Sequence, residues 1–462
     1  MLGIILLIVS LILYVTKKRK YSLLLFLLFM TQGLRIFTDE ILGVKNLDLA
    51  FIYTIVICVY SVLFEKSTRS SFCDRYLNKL VWGMFLFLIA SVLFSKYYYG
   101  FTWIQILQGG RHHFLLLSYF FLRKTKKDDI LWIVRCLFYI TLAHAVLYGI
   151  QVMTNLPILP YGEAKIDEVT GIARYYNMPV FLIFFLFFCI IFPNNYLRIK
   201  FPKTVIAILL VALLCTQGRT MIALTIFCIL IGLLYQRQSK KLFKNVIILG
   251  IIALPFADML LARFDNKGET SSDIEEIVTG KFIKRAYSGD MRGGTMSYRF
   301  AWVYERMEYL SDRPIAENIF GLGMISDSQE DVVQQKYRFL LGLKNKETGL
   351  ITQLVTPDIA YGNLITQFGY MGGLILLCIW VRLFVIYYKN RKSNELVFCT
   401  ALLLFYYIVS SISGSTISTT GNLVTPFMFL SLINTQIPQL LSSYEFNNRE
   451  NTLNPQKLIR QF

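Results

Sequence analysis

The sequence predicts an all-α integral membrane protein with about thirteen transmembrane helices, within a range of roughly 12–14, and one large external loop. Of its 462 residues, 55% are hydrophobic and only 16% are charged, against roughly 25% charged in an average soluble domain. The mean hydropathy is +0.53. One water-soluble core of this length could not bury so much apolar surface, so the composition argues against a cytosolic enzyme.

The predicted helices follow the apolar runs, since a spanning helix needs about 20 mostly apolar residues. They lie near residues 2–16, 21–36, 47–64, 80–96, 101–122, 130–153, 178–193, 204–217, 220–236, 245–262, 362–388, 395–413 and 422–437. The 101–122 run is interrupted by Gly109, Gly110 and Arg111, which predicts a broken or re-entrant segment there. In the first run the basic cluster follows the apolar residues, which favours a membrane anchor over a signal peptide.

The charge pattern predicts the topology. The net charge is +18, from 47 Lys and Arg against 29 Asp and Glu. Basic clusters lie on alternate loops, as the positive-inside rule requires of cytoplasmic connections; they lie at 17–20, 66–79, 123–127, 198–203, 237–244 and 389–392. The basic balance is therefore a topology signal, and nucleic acid is not an expected partner.

Four regions follow from this alternation. We predict an N-terminal transmembrane bundle at 1–262, a large external loop at 263–361, C-terminal transmembrane helices at 362–437 and a cytoplasmic tail at 438–462. A connection as long as the external loop is uncommon without a function. Within it, residues 298–312 carry apolar residues at helical spacing, which predicts an amphipathic helix with Phe300, Val303, Met307 and Leu310 on its buried side.

Three arginines are expected near the external membrane boundary. Arg174 and Arg219 lie in short external turns, and Arg299 opens the amphipathic helix of the loop. A guanidinium binds phosphate oxygens in a bidentate fork and stays charged when partly desolvated. The three side chains therefore suit a lipid diphosphate, although each could instead be a rim arginine that reaches to the headgroups.

Three sequence stretches resemble the bacterial O-antigen polymerase and O-antigen ligase superfamily. Gln217-Gly218-Arg219-Thr220 looks like the Arg-Thr turn of that family. Tyr298-Arg299-Phe300-Ala301-Trp302, with Pro314 and Phe320-Gly321-Leu322-Gly323, resembles its large periplasmic loop. Asp358-Ile359-Ala360-Tyr361-Gly362-Asn363-Leu364, continuing from Gln367 to Gly373, resembles the end of that loop.

The departures from the family pattern favour a polymerase. In ligases the position of Asp358 is usually His, and the position of Gln367 is usually Glu in an E-x-G-x-x-G pattern. Polymerase sequences vary more at these positions. The resemblance covers roughly residues 170–380 and reaches the rest of the chain only through topology.

The resemblance implies a metal-independent GT-C-type glycosyltransferase without a cofactor. Such an enzyme polymerises undecaprenyl-diphosphate-linked oligosaccharide repeat units, of O-antigen, capsule or exopolysaccharide, at the external face of the bacterial inner membrane. Arg219 and Arg299 would stabilise the leaving diphosphate, and Asp358 would deprotonate the acceptor hydroxyl. Asp358 could instead cap the following helix or form a structural salt bridge.

Further residues are predicted to contact the substrate. Together with the three arginines these are Tyr298, Trp302, Tyr361, Arg111 and His112. The pair His112 and His113 could bind sugar hydroxyls, or it could be a histidine pair at the membrane rim. His144, alone in its predicted span, is expected to hydrogen-bond between helices. The eight cysteines show no paired metal-ligand spacing and fit the role of small hydrophobic residues.

Two other functions stay open. A ligase would move glycan from the lipid carrier to another acceptor, and it would share the arginines. A transporter or flippase for lipid-linked glycans would be expected to show two related halves, which this sequence lacks. Membrane lipids are expected partners in all three cases, and the family resemblance also allows a chain-length regulator.

Overall fold

The computed structural model describes residues 2–38, 40–41, 44–65, 72, 74–160, 164–166, 173–236, 277, 279–283, 296–326, 329–344, 348–351, 353–356 and 358–433. Sixteen α-helices and two short hairpins are described from end to end, and residues 277, 279 and 281–283 are also helical. The helices are α1 (Leu2–Val15), α2 (Arg19–Met30), α3 (Asn46–Phe64), α4 (Arg75–Tyr97), α5 (Trp103–Gly110), α6 (Tyr119–Leu122), α7 (Lys127–Thr154), α8 (Leu182–Ile191), α9 (Pro202–Cys215), α10 (Arg219–Tyr235), α11 (Met296–Ser311), α12 (Ile315–Phe320), α13 (Glu330–Lys336), α14 (Ala360–Lys389), α15 (Glu395–Ser410) and α16 (Val424–Phe429).

The strands form two antiparallel pairs. Strand β1 (Glu40–Ile41) pairs with β2 (Val44–Lys45), and β3 (Ala164–Ile166) pairs with β4 (Ala173–Tyr175). In the second hairpin, Lys165 lies opposite Arg174. Both hairpins are short connections between helices, so the predicted all-α class is confirmed.

Four helices have the length and the hydropathy to cross a membrane. They are α3, α4, α7 and α14, with mean hydropathies between 1.9 and 2.2. Shorter apolar helices accompany them, namely most of α1 together with α8, α9, α10 and α15. Helix α1 exposes Ile4, Ile5, Ile8 and Ile12, each by about half of its surface. Such an aliphatic outer face fits contact with lipid rather than with water.

The predicted count of about thirteen spanning helices is not reached in the described part of the chain. The 178–193 run forms only the ten residues of α8, and the 422–437 run forms α16 between short 3₁₀ turns. The break in the 101–122 run is confirmed, because α5 ends at Gly110 and a 3₁₀ helix covers Arg111–Ser118. The predicted helix at 245–262 and the tail at 438–462 lie outside the described residues.

Helices α8 and α14 lie at the centre of the packing. Every residue of α8, from Leu182 to Ile191, is buried, as expected of a helix that is apolar on all sides. Helix α14 packs against α4, α11, α12 and α15. It therefore connects the bundle to the helices of the predicted external loop.

A break in α14 fixes the loop to the bundle. Gly369 has a φ of 63° and a ψ of −172°, which interrupts the helix. The carbonyl of Thr366 accepts a hydrogen bond from Leu322 N instead, at 2.8 Å. Gly321 must be small here, because a Cβ on it would lie 2.6 Å from the backbone of α14. Tyr99 Oη also donates to Gly321 O at 2.9 Å.

The other end of α14 is held by an ion pair. Arg382 donates from Nη2 and Nε to the two carboxylate oxygens of Asp74, at 2.6 and 3.1 Å. The same carboxylate caps α4 by accepting from Leu77 N at 2.7 Å. Helix α14 is thus attached to α4 near one end and to the loop after α12 near the other.

Candidate functional site

The structure brings two of the predicted catalytic residues together. Arg299 lies in the first turns of α11, and Asp358 lies two residues before α14 begins. Their charged groups are 3.5 Å apart, from Arg299 Nη2 to Asp358 Oδ1. The side chain of Asp358 is 44% exposed and that of Arg299 is 22% exposed. The pair is therefore open to solvent on its carboxylate side.

Asp358 does not cap α14. The N-cap position is taken by Ile359, and no side-chain hydrogen bond caps this helix. Asp358 Oδ2 instead lies 3.5 Å from the hydroxyl of Thr356, which also accepts from Asp358 N at 3.2 Å. Of the two structural alternatives, the salt bridge is present and the cap is not.

Arg299 keeps one free donor. Its Nε is buried and has no hydrogen-bond partner among the described residues. The separation of 3.5 Å from Asp358 also exceeds that of a charge-assisted hydrogen bond, about 2.7–2.9 Å. Because Nε has no surface that a ligand could reach, the capacity of Arg299 for an anionic ligand lies in its other guanidinium N–H groups.

Trp302 and Tyr361 hold the elements that carry the pair. Trp302 is 2% exposed, and its ring lies against Gly362, where a Cβ would come within 2.7 Å of Cζ3. Tyr361 Oη donates to Ile408 O of α15 at 3.2 Å. Burial raises the pKa of the half-buried Tyr298, and a hydrogen bond with the Gly342 backbone opposes that shift. Direct contact of these three rings with a substrate stays a prediction.

Asn363, which sequence reasoning did not single out as a site residue, fixes the segment that carries Asp358. Its side chain is buried and closes a ring with Thr356. Oδ1 accepts from Thr356 N at 2.8 Å, and Nδ2 donates to Thr356 O at 2.6 Å. The sequence signal was present, because Asn363 belongs to the stretch that resembles the end of the family loop.

A buried charged pair was also missed. Arg306 is 1% exposed; it donates to Glu305 at 2.6 Å and to the carbonyl oxygens of Leu341 and Gln353 at 2.9 and 3.0 Å. Glu305 accepts from the backbone N–H groups of Leu340 and Leu341. The pair thereby attaches α11 to the segment around residues 339–353.

This packing corrects the predicted face of the amphipathic helix. The buried side of α11 carries Ser297, Ala301, Trp302, Glu305, Arg306 and Leu310. Of the predicted apolar face only Leu310 is buried, whereas Met307 is 38% exposed and Phe300 and Val303 are intermediate. The prediction was wrong because it assumed that only apolar side chains would be buried.

Arg174 and Arg219 belong to a second group of contacts. Gln217, in the turn before Arg219, donates to Ala173 O of β4 at 3.4 Å. The guanidinium of Arg174 lies 5.1 Å from the ring centroid of Tyr176. Arg35, which was not predicted, donates to Tyr176 O at 3.1 Å. Arg35 and Arg174 therefore both contact Tyr176, directly after β4, and the turn before Arg219 contacts β4 through Gln217.

Helix α15 relates Arg219 to the Arg299–Asp358 pair. Near the C-terminal end of α10, Tyr235 packs on Phe398 with ring centroids 5.4 Å apart. Farther back, Phe227 lies 6.4 Å from Phe405. The two helices are therefore antiparallel. Arg219 begins α10 about 12 Å before Phe227, so it lies near the C-terminal end of α15.

The start of α14 lies at this same end of α15. Ala360 N donates to Ser411 O at 3.0 Å, directly after α15 ends. Since Asp358 lies two residues before Ala360, Arg219 and the Arg299–Asp358 pair are at one end of the helix bundle. In the described residues no ion pair joins the two groups directly.

Arg111 and the histidines are engaged within the protein. Arg111 forms an ion pair with Asp48 of α3. The rings of His112 and His113 lie 3.6 Å apart, and His113 is buried against Phe368. The ring of His144 hydrogen-bonds to Asn177 O at 3.0 Å. That partner lies in the connection after β4, so the expected helix-to-helix bond of His144 is wrong.

Metal chemistry has no evident ligand set here. Within the described ranges, no three His, Cys, Asp or Glu side chains are grouped so that they could hold a metal ion.

No protein-family model matches the chain, and no curated protein is similar enough to count as a relative. The family resemblance therefore depends on the quoted motifs alone.

Proposed function

We propose that this protein polymerises oligosaccharide repeat units carried on undecaprenyl diphosphate. The observation that carries the proposal is the Arg299–Asp358 pair, which places a partly exposed arginine beside a carboxylate that no helix terminus uses. Arg219 lies at the same end of the bundle and supplies a second cation. A glycosyltransferase that uses a lipid diphosphate needs these two chemical functions.

The proposed reaction replaces the glycosyl–phosphate bond of the donor with a new glycosidic bond. The bond between the donor sugar's C1 and its diphosphate oxygen breaks, and a bond from C1 to an acceptor hydroxyl oxygen forms. The hydroxyl proton passes to the Asp358 carboxylate, which later releases it to water. The diphosphate leaves with the bonding electrons, and Arg299 and Arg219 stabilise its charge.

The acceptor chemistry favours a polymerase over a ligase. Asp358 stands where ligases of the resembled superfamily usually have His, so the proton acceptor would be a carboxylate. We therefore propose a second lipid-linked repeat unit as the acceptor, at the external face of the bacterial inner membrane. Products that carry the glycan on any other acceptor would instead indicate a ligase.

Reconstitution tests the proposed activity. Purified protein is incubated with lipid-linked repeat units, and the products are separated on a gel. We expect a ladder from the wild-type protein, a loss of about 10²–10³-fold in Arg299→Ala, and partial recovery in Arg299→Lys, which keeps the charge but loses the fork. Arg313→Ala, an exposed arginine of the same loop, is the matched control and should behave as wild type. A full ladder from Arg299→Ala would reject the site.

Orientation is tested separately by cysteine labelling. Ser311, at the end of α11, and Lys126, before α7, are both exposed. In a Cys-free background we expect an impermeant thiol reagent to label Ser311→Cys in spheroplasts and to label Lys126→Cys only after lysis. The reverse pattern would place the pair on the cytoplasmic side, where the proposed polymer could not form.

A further inference from the structure

A cavity of about 300 Å³ lies beside α13. Its lining consists of Asp331, Gln334, Gln335, Arg338 and Leu350. Its volume is at the lower end of the range for small-molecule sites. One carboxylate and one guanidinium give the lining no net charge.

The polar groups of this cavity are not used within the protein. Among the described residues, the side chains of Asp331, Gln334, Gln335 and Arg338 form no hydrogen bond or ion pair. Gln334 is 9% exposed, and its amide oxygen and nitrogen both keep surface that a ligand or solvent can reach. The cavity therefore offers unused donors and acceptors of both kinds.

Two sets of contacts fix the cavity to the bundle and to α11. On one side, Gln329 donates to Gln105 O and Gln108 Oε1 of α5, and Lys336 donates to Tyr99 O. On the other side, the chain continues from Arg338 to Leu341, which binds Glu305 and Arg306 of α11.

These contacts bound the distance from the cavity to the ion pair. Arg338 is about 10 Å along an extended chain from Leu341, and Arg306 is about 10 Å along α11 from Arg299. Adding the length of the Arg306 side chain and its hydrogen bond to Leu341 O, the cavity lies within roughly 30 Å of the Arg299–Asp358 pair. An extended oligosaccharide could reach from one to the other.

We propose that the cavity binds the hydroxyl groups of the acceptor oligosaccharide and holds it in line with Asp358. Sugar hydroxyls both donate and accept hydrogen bonds. The carboxylate and amide oxygens accept from them, and the amide and guanidinium N–H groups donate to them. Leu350 offers an apolar surface to the C–H face of a ring. The neutral lining suits an uncharged glycan better than a diphosphate. The proposal rests on the proposed function.

Direct binding tests this assignment without requiring transfer. The probe is the oligosaccharide that mild acid releases from the lipid-linked repeat units of the source strain. It is titrated into the full-length protein in detergent micelles and followed by saturation-transfer NMR. We expect Arg338→Ala to raise the Kd about tenfold, as the loss of a charged hydrogen bond predicts, and Gln334→Ala with Arg338→Ala to raise it further. Arg313→Ala should leave it unchanged.

The outcomes separate the cavity from the transfer chemistry. Arg299→Ala should bind the oligosaccharide normally while forming no ladder. If the wild-type protein does not bind the probe, or if the double variant binds it equally well with an unchanged Tm, the cavity assignment is overturned. A normal ladder from Arg299→Ala, together with lost binding in Arg338→Ala, would overturn the proposed transfer site and leave the cavity assignment standing.

Discussion

Replacing Asp358 by Asn separates proton transfer from ion pairing. The amide keeps the size of the side chain and an oxygen that can accept from Arg299 and Thr356, but it cannot take a proton. The pair is 3.5 Å long and its carboxylate is 44% exposed. Exposed ion pairs contribute about 0.2–1 kcal/mol. Loss of pairing alone therefore accounts for no more than about a fivefold fall in rate.

Loss of a general base has a much larger effect. A positioned base contributes about 10²–10⁴-fold to a reaction, so the two roles predict ranges that do not overlap. We expect Asp358→Asn to reduce the initial rate of repeat-unit transfer at least about 100-fold. Its Tm should stay close to that of the wild-type protein, because the ion pair contributes so little.

The assay measures the first transfer and not only the final ladder. Purified variants are incubated with lipid-linked repeat units, and the dimeric product is quantified at early times. Asp312→Asn changes an exposed carboxylate of the same loop and serves as the matched control. Asp358→His introduces the residue usual in ligases of the resembled superfamily. If Asp358→Asn stays within about fivefold of the wild-type rate, the base role is refuted and only arginine electrostatics and positioning remain.

Three further predictions concern the scaffold. Gly369→Ala should sharply lower the Tm, since the new Cβ would lie 2.4 Å from Ile319 O and the residue would keep a φ of 63°. The control is Gly83→Ala in α4, where a Cβ meets nothing within 4 Å. This control should raise the free energy of unfolding by about 0.5–1 kcal/mol. Arg306→Ala leaves a buried carboxylate unpaired and should cost about 3–5 kcal/mol, seen as rapid proteolysis between α11 and α14. Burial opposes ionisation of Asp74, but its bonds to Arg382 and Leu77 N outweigh this and lower its pKa below 3.8. The ionised Asp74 carboxylate therefore contributes its full stabilisation above pH 3.8, and this contribution is lost as the pH falls through the lowered pKa. Asp74→Asn should flatten the dependence of the Tm on pH below about 4.

The long helices could be predicted because their signal is local. The predicted spans 47–64 and 130–153 agree with α3 and α7 within about four residues, since uninterrupted apolar runs specify a helix without tertiary information. Helix α8 is shorter than its apolar run, which has a proline near each end, Pro179 and Pro193. It is buried on every side within the bundle, so its hydrophobicity does not report a lipid-facing span.

The candidate site could be predicted only in part. The order of the motifs placed Arg299 and Asp358 in the same loop, and the structure pairs them. The Glu305–Arg306 pair was missed because its partners, Leu340 and Leu341, lie about 35 residues away along the chain. No local periodicity predicts a contact between residues so far apart in the sequence. A charged side chain with no partner nearby in the sequence is therefore predicted to be exposed.

The position of Asp358 one residue outside the helix cap has a chemical consequence. At the N-cap its carboxylate would accept from the backbone N–H groups of α14, which would satisfy its oxygens and hold it against the helix. Ile359 takes that position instead, and Ser411 O accepts from Ala360 N. The carboxylate is thereby left beside Arg299 and partly exposed. Because α10 and α14 both meet the C-terminal end of α15, Arg219 approaches the same region from a different helix. A diphosphate held between the two arginines would thus lie next to a carboxylate that the fold has left available.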